Sequence, residues 1–215
     1  MTQYEGGCPL CEEKNLIFYH KDKKREYWQC LVCDVVFVPQ LFHLQKNEEK
    51  AEYDLHQNSS DDIGYRKFLE RILQPVLGQI SEKSVGLDFG CGPGPTLSKM
   101  FEEKGHKMSL YDLYYYPDKT VLRYRYDFIT LSEVAEHLAQ PMGIFTQLWQ
   151  LLKEEGILAV MTKRVHGKEA FSSWHYKNDP THIIFYSEAT ARWLAKQLNA
   201  QLDIIGADVF LLRKR

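Results

Sequence analysis

The stretch Val85-Gly86-Leu87-Asp88-Phe89-Gly90-Cys91-Gly92-Pro93-Gly94 determines how the rest of this 215-residue chain is interpreted. Its first half is apolar, as in a parallel strand covered on both faces, and its second half is a glycine-rich turn. Glycines at alternate positions let a ligand approach the backbone where any Cβ would collide. The pattern predicts a helix from about Thr96 to Lys104, with free amide groups at its start. Pro95 suits that start, because a first-turn residue has no intrahelical use for its N–H.

The spacing of the glycines separates two classes of cofactor site. A dinucleotide site needs the pattern G-x-G-x-x-G, whereas this chain has Asp88-x-Gly90-x-Gly92-x-Gly94 followed by a proline. The spacing resembles motif I of the class I S-adenosylmethionine-dependent methyltransferases, in which an acidic strand end faces the cationic methionine part of the cofactor. A tight strand-to-helix turn without a ligand is the alternative. The resemblance implies cofactor contacts by Asp88, Phe89, Gly90, Cys91, Gly92 and Gly94.

A second acidic residue, Asp112, ends the next predicted strand, Lys107–Tyr111. It lies 22 residues beyond Gly90. A carboxylate at the end of the second strand can accept hydrogen bonds from both ribose hydroxyls, as it does in dinucleotide folds. The glycine-rich turn and this carboxylate together are more specific than either alone, and they predict a nucleoside bound across the two strand ends.

The segment after Asp112 is shorter than the resemblance implies. Asp112 and Tyr126 are only 14 residues apart, where the family has a helix and a third strand. We expect the helix to be missing and the strand to be a short Val121–Arg123. Adenine is then expected on Leu113 or on one of the tyrosines 114–116, unless these tyrosines pack against the sheet edge.

Two further motifs extend the resemblance to residues 84–162. The stretch from Tyr126 to His137 resembles the fourth strand and its loop, "YDxIxxxEVxEH", and implies cofactor contacts by Ser132 and Glu133. The stretch from Leu151 to Thr162 resembles a helix end and fifth strand, with Glu155 in place of one glycine. The closest resemblance is to methyltransferase types 11 and 23, in the ubiquinone-biosynthesis-like branch. It implies an α/β, Rossmann-like, doubly wound sheet of seven mostly parallel strands.

Methyl transfer from a sulfonium is an in-line displacement, so the protein mainly holds donor and acceptor together. An acceptor of high pKa also needs a base. His137 follows the fourth strand, and His182 lies in a stretch that resembles "WxYxxDxTHxxFYS", one wall of the acceptor pocket in related enzymes. Each histidine is a candidate base or a structural residue. Trp174 and Tyr176 can stack on an acceptor ring or fill the core. The catalytic candidates are therefore His182, His137 and Tyr176.

Four of the five cysteines predict a metal site. They form two C-x-x-C pairs with 18 residues between the pairs, which is the spacing of a tetrahedral zinc site. Four thiolates leave no open position, so the zinc is expected to be structural, and a redox C-x-x-C is the alternative. Strand-like segments Leu16–His20 and Arg25–Gln29 complete a pattern that resembles a zinc ribbon. The predicted zinc ligands are Cys8, Cys11, Cys30 and Cys33.

The segment between the ribbon and the glycine-rich strand is expected to cover the cofactor. An amphipathic pattern predicts a helix from Gly64 to about Ile80, and a loop rich in Asn, Ser and Asp precedes it. In the resembled superfamily, a helix in this place commonly covers the cofactor site. Helix capping and packing alone are the alternative. The candidates for a lid over the methionine carboxylate or the substrate are His56, Asn58, Tyr65 and Arg66, of which Tyr65 and Arg66 are predicted cofactor contacts.

Composition argues against a strong attraction to nucleic acid or membranes. The net charge is −2, and residues 1–46 contain six Lys/Arg and six Asp/Glu. No apolar run approaches the roughly 20 residues of a membrane span, and the N-terminus lacks a signal pattern, so a cytoplasmic protein is expected. The basic cluster Lys21–Arg25 is either a solvated turn or part of a substrate-reading surface.

The chain is thus predicted to comprise a zinc ribbon (1–45), connecting or lid helices (46–80) and a methyltransferase domain (81–215). The leading hypothesis is S-adenosylmethionine-dependent methylation of a small molecule, with Zn²⁺ as a structural ion. Methylation of RNA or protein with the ribbon as substrate reader is the first alternative. A non-catalytic S-adenosylmethionine-binding or scaffold protein is the second.

Overall fold

The computed structural model describes residues 4–55 and 59–215, and within these ranges it contains ten strands and six α-helices. The strands are β1 (Leu16–Lys21), β2 (Glu26–Cys30), β3 (Val36–Phe37), β4 (Val85–Phe89), β5 (Lys107–Tyr111), β6 (Tyr126–Ser132), β7 (Leu152–Met161), β8 (Ile184–Phe185), β9 (Gln201–Ile205) and β10 (Val209–Arg213). The helices are α1 (Lys46–Tyr53), α2 (Ile63–Leu77), α3 (Thr96–Glu103), α4 (Pro141–Leu151), α5 (Lys168–Ser172) and α6 (Glu188–Gln197).

The central sheet has the strand order β5-β4-β6-β7-β10-β9. Strands β5, β4, β6 and β7 are parallel to one another, whereas β10 is antiparallel to both β7 and β9. The predicted mostly parallel α/β sheet is therefore confirmed, but the described residues place six strands in it and not seven. The expected third strand is missing because Lys119–Arg123 forms a 3-10 helix. This leaves β5 at the edge of the sheet.

Helices cover both faces of this sheet. Helices α2 and α3 bury Leu73 and Phe101 in one core with Phe128 of β6. Helices α4 and α6 contribute to a second core that includes Ile129, the next residue of the same strand. Successive side chains of a strand point to opposite faces, so adjacent residues belong to different cores. The doubly wound arrangement thus follows from the nearly continuous apolar run of β6.

A second, smaller sheet has the order β1-β2-β3-β8 and is antiparallel throughout. Its first two strands, β1 and β2, lie where the ribbon strands were expected. Its fourth strand comes from the other end of the chain: Val36 pairs with Phe185, and the N–H of Val38 donates to the carbonyl of Ile183 at 2.8 Å. The cysteine-rich segment is therefore joined by backbone hydrogen bonds to the segment that carries His182.

Within residues 4–55 and 59–215, no helix is long and apolar enough to cross a membrane. Helix α2 buries the predicted face, which includes Leu69, Ile72 and Val76. Packing of α2 against α3 places its N-terminal turn beside the end of β4, where the glycine-rich turn begins.

Candidate active site and metal centre

The glycine-rich turn follows β4 at the carboxyl edge of the parallel strands. Gly90 and Gly92 have φ angles of +77° and +64°, which L side chains rarely adopt. A Cβ on Gly90 would also lie 2.5 Å from the Val134 side chain. The N–H of Gly90 donates to the carbonyl of Tyr111 at 2.7 Å, so the turn is fixed to the end of β5. Both glycines are thus required by the backbone path of the turn itself.

Asp88, near the end of β4, is a buried carboxylate that is held by two hydroxyls. Ser98 donates to Oδ2 and Thr130 donates to Oδ1, each at 2.9 Å. Burial raises the pKa of Asp88 to about 6, although both hydrogen bonds act in the opposite direction. Asp88 lines a cavity at this edge of the sheet. A cation bound in that cavity would stabilise the charged form of Asp88.

Asp112 ends β5 and contacts the same turn. Its Oδ2 accepts the N–H of Gly92 at 3.0 Å, and its Oδ1 accepts the N–H groups of Tyr114 and Tyr115 at 2.8 and 3.1 Å. A carboxylate offers about four lone-pair sites, so these three bonds fix the side chain without exhausting it. Asp112 lines the cavity, with Leu113 exposed beside it.

Two of the tyrosines that follow Asp112 contact helix α1 and the residue that caps its C-terminus. Tyr114 donates its hydroxyl to Glu49 at 2.8 Å, and Tyr115 donates to Asp54 at 2.7 Å. The hydroxyl groups of these two tyrosines are thus used within the protein, and both residues also line the cavity. Helix α1 becomes one wall, through Glu49 and Tyr53. Sequence reasoning missed both residues, because α1 is polar and carries no apolar stripe.

A cavity of about 640 Å³ lies between these elements. It brings together nearly all of the predicted cofactor contacts and both candidate histidines. The predicted residues that line it are Tyr65, Asp88, Phe89, Gly90, Cys91, Gly92, Gly94, Asp112, Leu113, Ser132, Glu133, His137 and His182.

Five of the residues singled out in the sequence do not line this cavity or cannot be placed there. Arg66 turns away to α3, where its guanidinium forms an ion pair with Glu103. Tyr176 is buried beneath the wall. Trp174 lies beside it, with ring centroids 5.0 Å apart, and both belong to an aromatic cluster. His56 and Asn58 fall outside the described residues.

Tyr176 belongs to a buried cluster with two carboxylates, Glu133 and Glu136. Its hydroxyl donates to Oε1 of Glu136 and lies 3.3 Å from Oε2 of Glu133. Burial and the two negative charges raise the pKa of Tyr176, so it is held as a neutral donor and is unsuited as a base. Burial, followed by the charge of Glu136, raises the pKa of Glu133 to about 8. Glu136 is fully buried, and burial raises its pKa as well.

The two histidines meet at the cavity wall, with ring centroids 4.8 Å apart. His137 Nδ1 lies 3.1 Å from the carbonyl oxygen of Thr181, and His182 Nδ1 lies 2.7 Å from that of Tyr176. Since a carbonyl only accepts, both Nδ1 atoms carry the proton. Burial lowers the pKa of His182, which favours its neutral form.

The loop 177–182, which ends at His182, is held by Arg25 from the cysteine-rich segment. The buried guanidinium donates to four backbone carbonyls, which belong to Lys177, Asp179, Pro180 and His182. The bonds to Pro180 and His182 measure 3.1 and 3.0 Å. Arg25 is thus a structural residue in the interface and not a member of an exposed basic surface.

The four N-terminal cysteines come together as their spacing predicts. Their sulfur atoms all lie within 4.8 Å of one another, with Cys8–Cys33 and Cys11–Cys30 at 3.5 Å, and none forms a disulfide. Sulfurs at about 2.3 Å from a tetrahedral zinc would lie about 3.8 Å apart. Three of the four cysteines are buried, so the donor set and its geometry suit a closed structural zinc site.

Comparison with known proteins identifies the fold and the family. A sequence model described as a methyltransferase domain matches residues 62–203. The chain belongs to the methyltransferase-domain family. The match begins just before α2 and includes β4, β5, β6, β7 and the first residues of β9, so it contains most of the residues that line the cavity. A search of the curated proteins found no match.

Solved methyltransferase structures share this fold. The 1,6-didemethyltoxoflavin-N1-methyltransferase of Burkholderia thailandensis, solved with its substrate and S-adenosylhomocysteine, is 16% identical, with a TM-score of 0.52 over 92% of this chain and 98% of that chain. A methyltransferase of Archaeoglobus fulgidus, described as SAM-dependent, is 15% identical, with a TM-score of 0.52 over 70% of this chain and 99% of that chain. At such low identities, the likeness concerns the fold.

Proposed function

We propose that this methyltransferase transfers a methyl group from S-adenosylmethionine to a small-molecule acceptor. One observation carries the proposal: the glycine-rich turn, Asp88 and Asp112 line the same cavity as the two histidines. Its volume of about 640 Å³ lies in the range of small-molecule sites. The motifs of residues 126–137 and 151–162 favour the ubiquinone-biosynthesis-like branch of the family.

Three groups in the described structure suit the cofactor. Asp88 offers a buried negative charge to the cationic methionine part, and Asp112 retains lone pairs for the ribose hydroxyls. At Gly92, open space lies where a Cβ would project, so the backbone of the turn is accessible to a ligand there. Leu113 and the rings of Tyr114 and Tyr115 form the adjoining wall, and we infer that adenine binds there. When bound, the cofactor supplies an electrophilic methyl group.

The acceptor side of the cavity is formed by His137, His182 and Asp179. The proton on each histidine Nδ1 is fixed by a backbone carbonyl, so Nε2 is the nitrogen that can accept a proton or bind a ligand. Tyr176 orients Glu136 from beneath this wall and does not contact the cavity. The residues of this chain therefore hold the acceptor and exclude water, in keeping with a reaction that depends on positioning.

We further infer that Cys8, Cys11, Cys30 and Cys33 bind one structural Zn²⁺. Burial of the sulfurs and the absence of a disulfide among them support this assignment over a redox pair. The ribbon (1–45) would then act by fixing β3 against β8 and Arg25 against loop 177–182. Such a role connects the ribbon to the acceptor wall without any direct contact between the ribbon and substrate.

A macromolecular acceptor is the second candidate, and the structure weakens its main support. Of the basic cluster Lys21–Arg25, Arg25 is buried in the loop and Lys21 pairs with Glu26 at 3.0 Å. An RNA-binding surface would need several free phosphate-binding cations in a row. The small-molecule acceptor is therefore favoured.

The test uses zinc-loaded, full-length protein and methyl-labelled S-adenosylmethionine. Calorimetry first measures cofactor binding, and labelled transfer is then measured on a small-molecule library and on total RNA. We expect cofactor binding and transfer to a small molecule. Salt-sensitive labelling of RNA alone would favour the macromolecular acceptor, whereas no measurable cofactor binding would leave a non-catalytic protein.

A further inference from the structure

Three potential metal ligands converge on the acceptor side of the cavity, far from the cysteines in sequence. A carboxylate oxygen of Glu136 and a ring nitrogen of each of His137 and His182 all lie within 4.8 Å of one another. The short 3-10 helix Ala135–His137 supplies the first two ligands, and the loop held by Arg25 supplies the third. His137 and His182 also line the cavity.

Both histidines are oriented as metal ligands usually are. A metal-binding imidazole commonly donates its second ring N–H to a carbonyl or carboxylate, which fixes the tautomer and the ring plane. Here the acceptors are the carbonyls of Thr181 and Tyr176. The lone pair is consequently on Nε2 in both rings. For His182, Nε2 is 3.7 Å from Asp179 Oδ2, which is beyond a normal hydrogen bond.

The carboxylates supply a second, independent observation. Glu136 is completely buried, and its Oε2 has no hydrogen-bond partner in the described structure, while Tyr176 holds Oε1. Glu133 repeats this arrangement: Oε2 faces the same hydroxyl and Oε1 has no partner. A buried carboxylate oxygen without a donor is strongly unfavourable, and a cation is one of the few groups that satisfy it.

We propose that Glu136, His137 and His182 bind one divalent cation of the Mn²⁺ or Fe²⁺ class, and that the cation holds a hydroxyl oxygen of the methyl acceptor. A mixed set of imidazole nitrogens and a carboxylate is typical of such ions. Three protein ligands leave coordination positions open toward the cavity, as in metal sites that bind a substrate. Glu133 lies beside the ion as a further carboxylate. The acceptor is thus a hydroxylated small molecule, an assignment that rests on the proposed function.

The transfer step balances without a further reagent. The acceptor hydroxyl loses its proton to water when it binds the cation, because a bound cation lowers the pKa of an oxygen ligand. A lone pair of this oxygen forms the new C–O bond to the methyl carbon. The C–S bond breaks, and its electron pair returns to sulfur, which leaves neutral S-adenosylhomocysteine. Neither histidine has to act as a base in this scheme.

The cation is tested directly with Mn²⁺ as the probe, on full-length protein whose cysteine site is already loaded with zinc. Electron paramagnetic resonance of free Mn²⁺ measures binding with S-adenosylhomocysteine present. We expect one Mn²⁺ per chain in the wild type. Glu136→Gln and His182→Asn should each weaken Mn²⁺ binding by at least about tenfold. His175→Asn is the matched control, because His175 is exposed and neighbours Lys163 and not the cluster.

Two outcomes would overturn the cation site. One is no Mn²⁺ binding by a wild-type protein that binds S-adenosylhomocysteine, and another is equal Mn²⁺ binding by all four proteins. Circular dichroism excludes unfolding of the variants, and His137→Gln offers a second probe on a less buried ligand. Calorimetry with S-adenosylhomocysteine distinguishes the two proposals. If the wild type does not bind S-adenosylhomocysteine, the proposed function is wrong. If it binds S-adenosylhomocysteine but not Mn²⁺, only the cation site is wrong.

Discussion

Gly92 donates its backbone N–H to Oδ2 of Asp112 at 3.0 Å. This bond joins the glycine-rich turn after β4 to the acidic end of β5, so the two features recognised separately in the sequence form one rigid edge. Oδ1 of the same carboxylate orders the turn that carries Tyr114 and Tyr115. Asp112 therefore shapes the predicted nucleoside site in addition to offering lone pairs to it.

Replacing Asp112 with asparagine is expected to weaken S-adenosylhomocysteine binding by roughly 10- to 100-fold. Hydrogen bonds to a charged group contribute about 1.5–3 kcal/mol, and an amide in this place loses the charge and disturbs the bond to Gly92. Calorimetry measures the change. Asp118→Asn is the matched control, because Asp118 is exposed and caps the 3-10 helix Lys119–Arg123 outside the cavity. Equal affinities in the two variants would contradict the predicted ribose contact.

Cofactor affinity is expected to fall as the pH is lowered through about 6, the pKa to which burial raises Asp88. Above that pH the carboxylate is charged and attracts the cationic methionine part, and below it the attraction is lost. The raised pKa has the opposite effect on stability: the folded state favours the protonated form, so this contribution to the free energy of unfolding declines as pH rises from about 4 to 6.

The measurement for Asp88 is calorimetry with S-adenosylmethionine at a series of pH values. Asp88→Asn should flatten the profile at reduced affinity. A wild-type affinity that is constant between pH 5 and about 7 would show that Asp88 does not face the cofactor charge.

Truncation of Arg25 is expected to destabilise the protein by at least about 3 kcal/mol. The buried guanidinium donates to four backbone carbonyls, and each buried polar group left without a partner costs about 1–3 kcal/mol. Arg25→Met keeps most of the apolar side chain and removes the donors. Denaturant unfolding gives the free energy. Lys23→Met, in the same hairpin at an exposed position, serves as the control and should change stability little.

The Arg25 variant should also disturb the acceptor wall more than the cofactor site. If it still binds S-adenosylhomocysteine, its Mn²⁺ affinity should fall, since the loop that Arg25 holds ends at His182. If the Arg25→Met protein were as stable as the Lys23→Met protein, the proposed stabilisation of loop 177–182 by Arg25 would be wrong.

Loss of zinc is expected to weaken the pairing of β8 with β3 in the small sheet. Cys11→Ser should lower the zinc content from one ion per chain and increase amide exchange at Ile184 and Phe185, because β8 pairs with β3. Hydrogen-exchange mass spectrometry and metal analysis test this. Cys91→Ser is the control, since Cys91 lies in the glycine-rich turn, and it should retain the zinc and the protection of β8.

Sequence patterns located most of the regular elements and most of the candidate site. Helix α2 was placed by its apolar periodicity, strand β6 by its resemblance to a family motif, and the cysteines by their spacing, because each pattern is local. The expected third strand was wrong, since Val121 lies in a 3-10 helix and contacts the core from the edge of the sheet. Periodicity over three residues cannot separate these two conformations.

The sequence by itself determined the glycine-rich turn, the acidic strand ends and the four-cysteine cluster, because each depends on residues close together in the chain. Only the tertiary structure decided the contacts of Arg25, which reach carbonyls more than 150 residues away, and the placing of the Tyr176 hydroxyl between Glu133 and Glu136. These contacts arise when two sheets and their loops pack together. A local sequence pattern cannot predict these contacts, because the residues that form them are close together only in the folded chain.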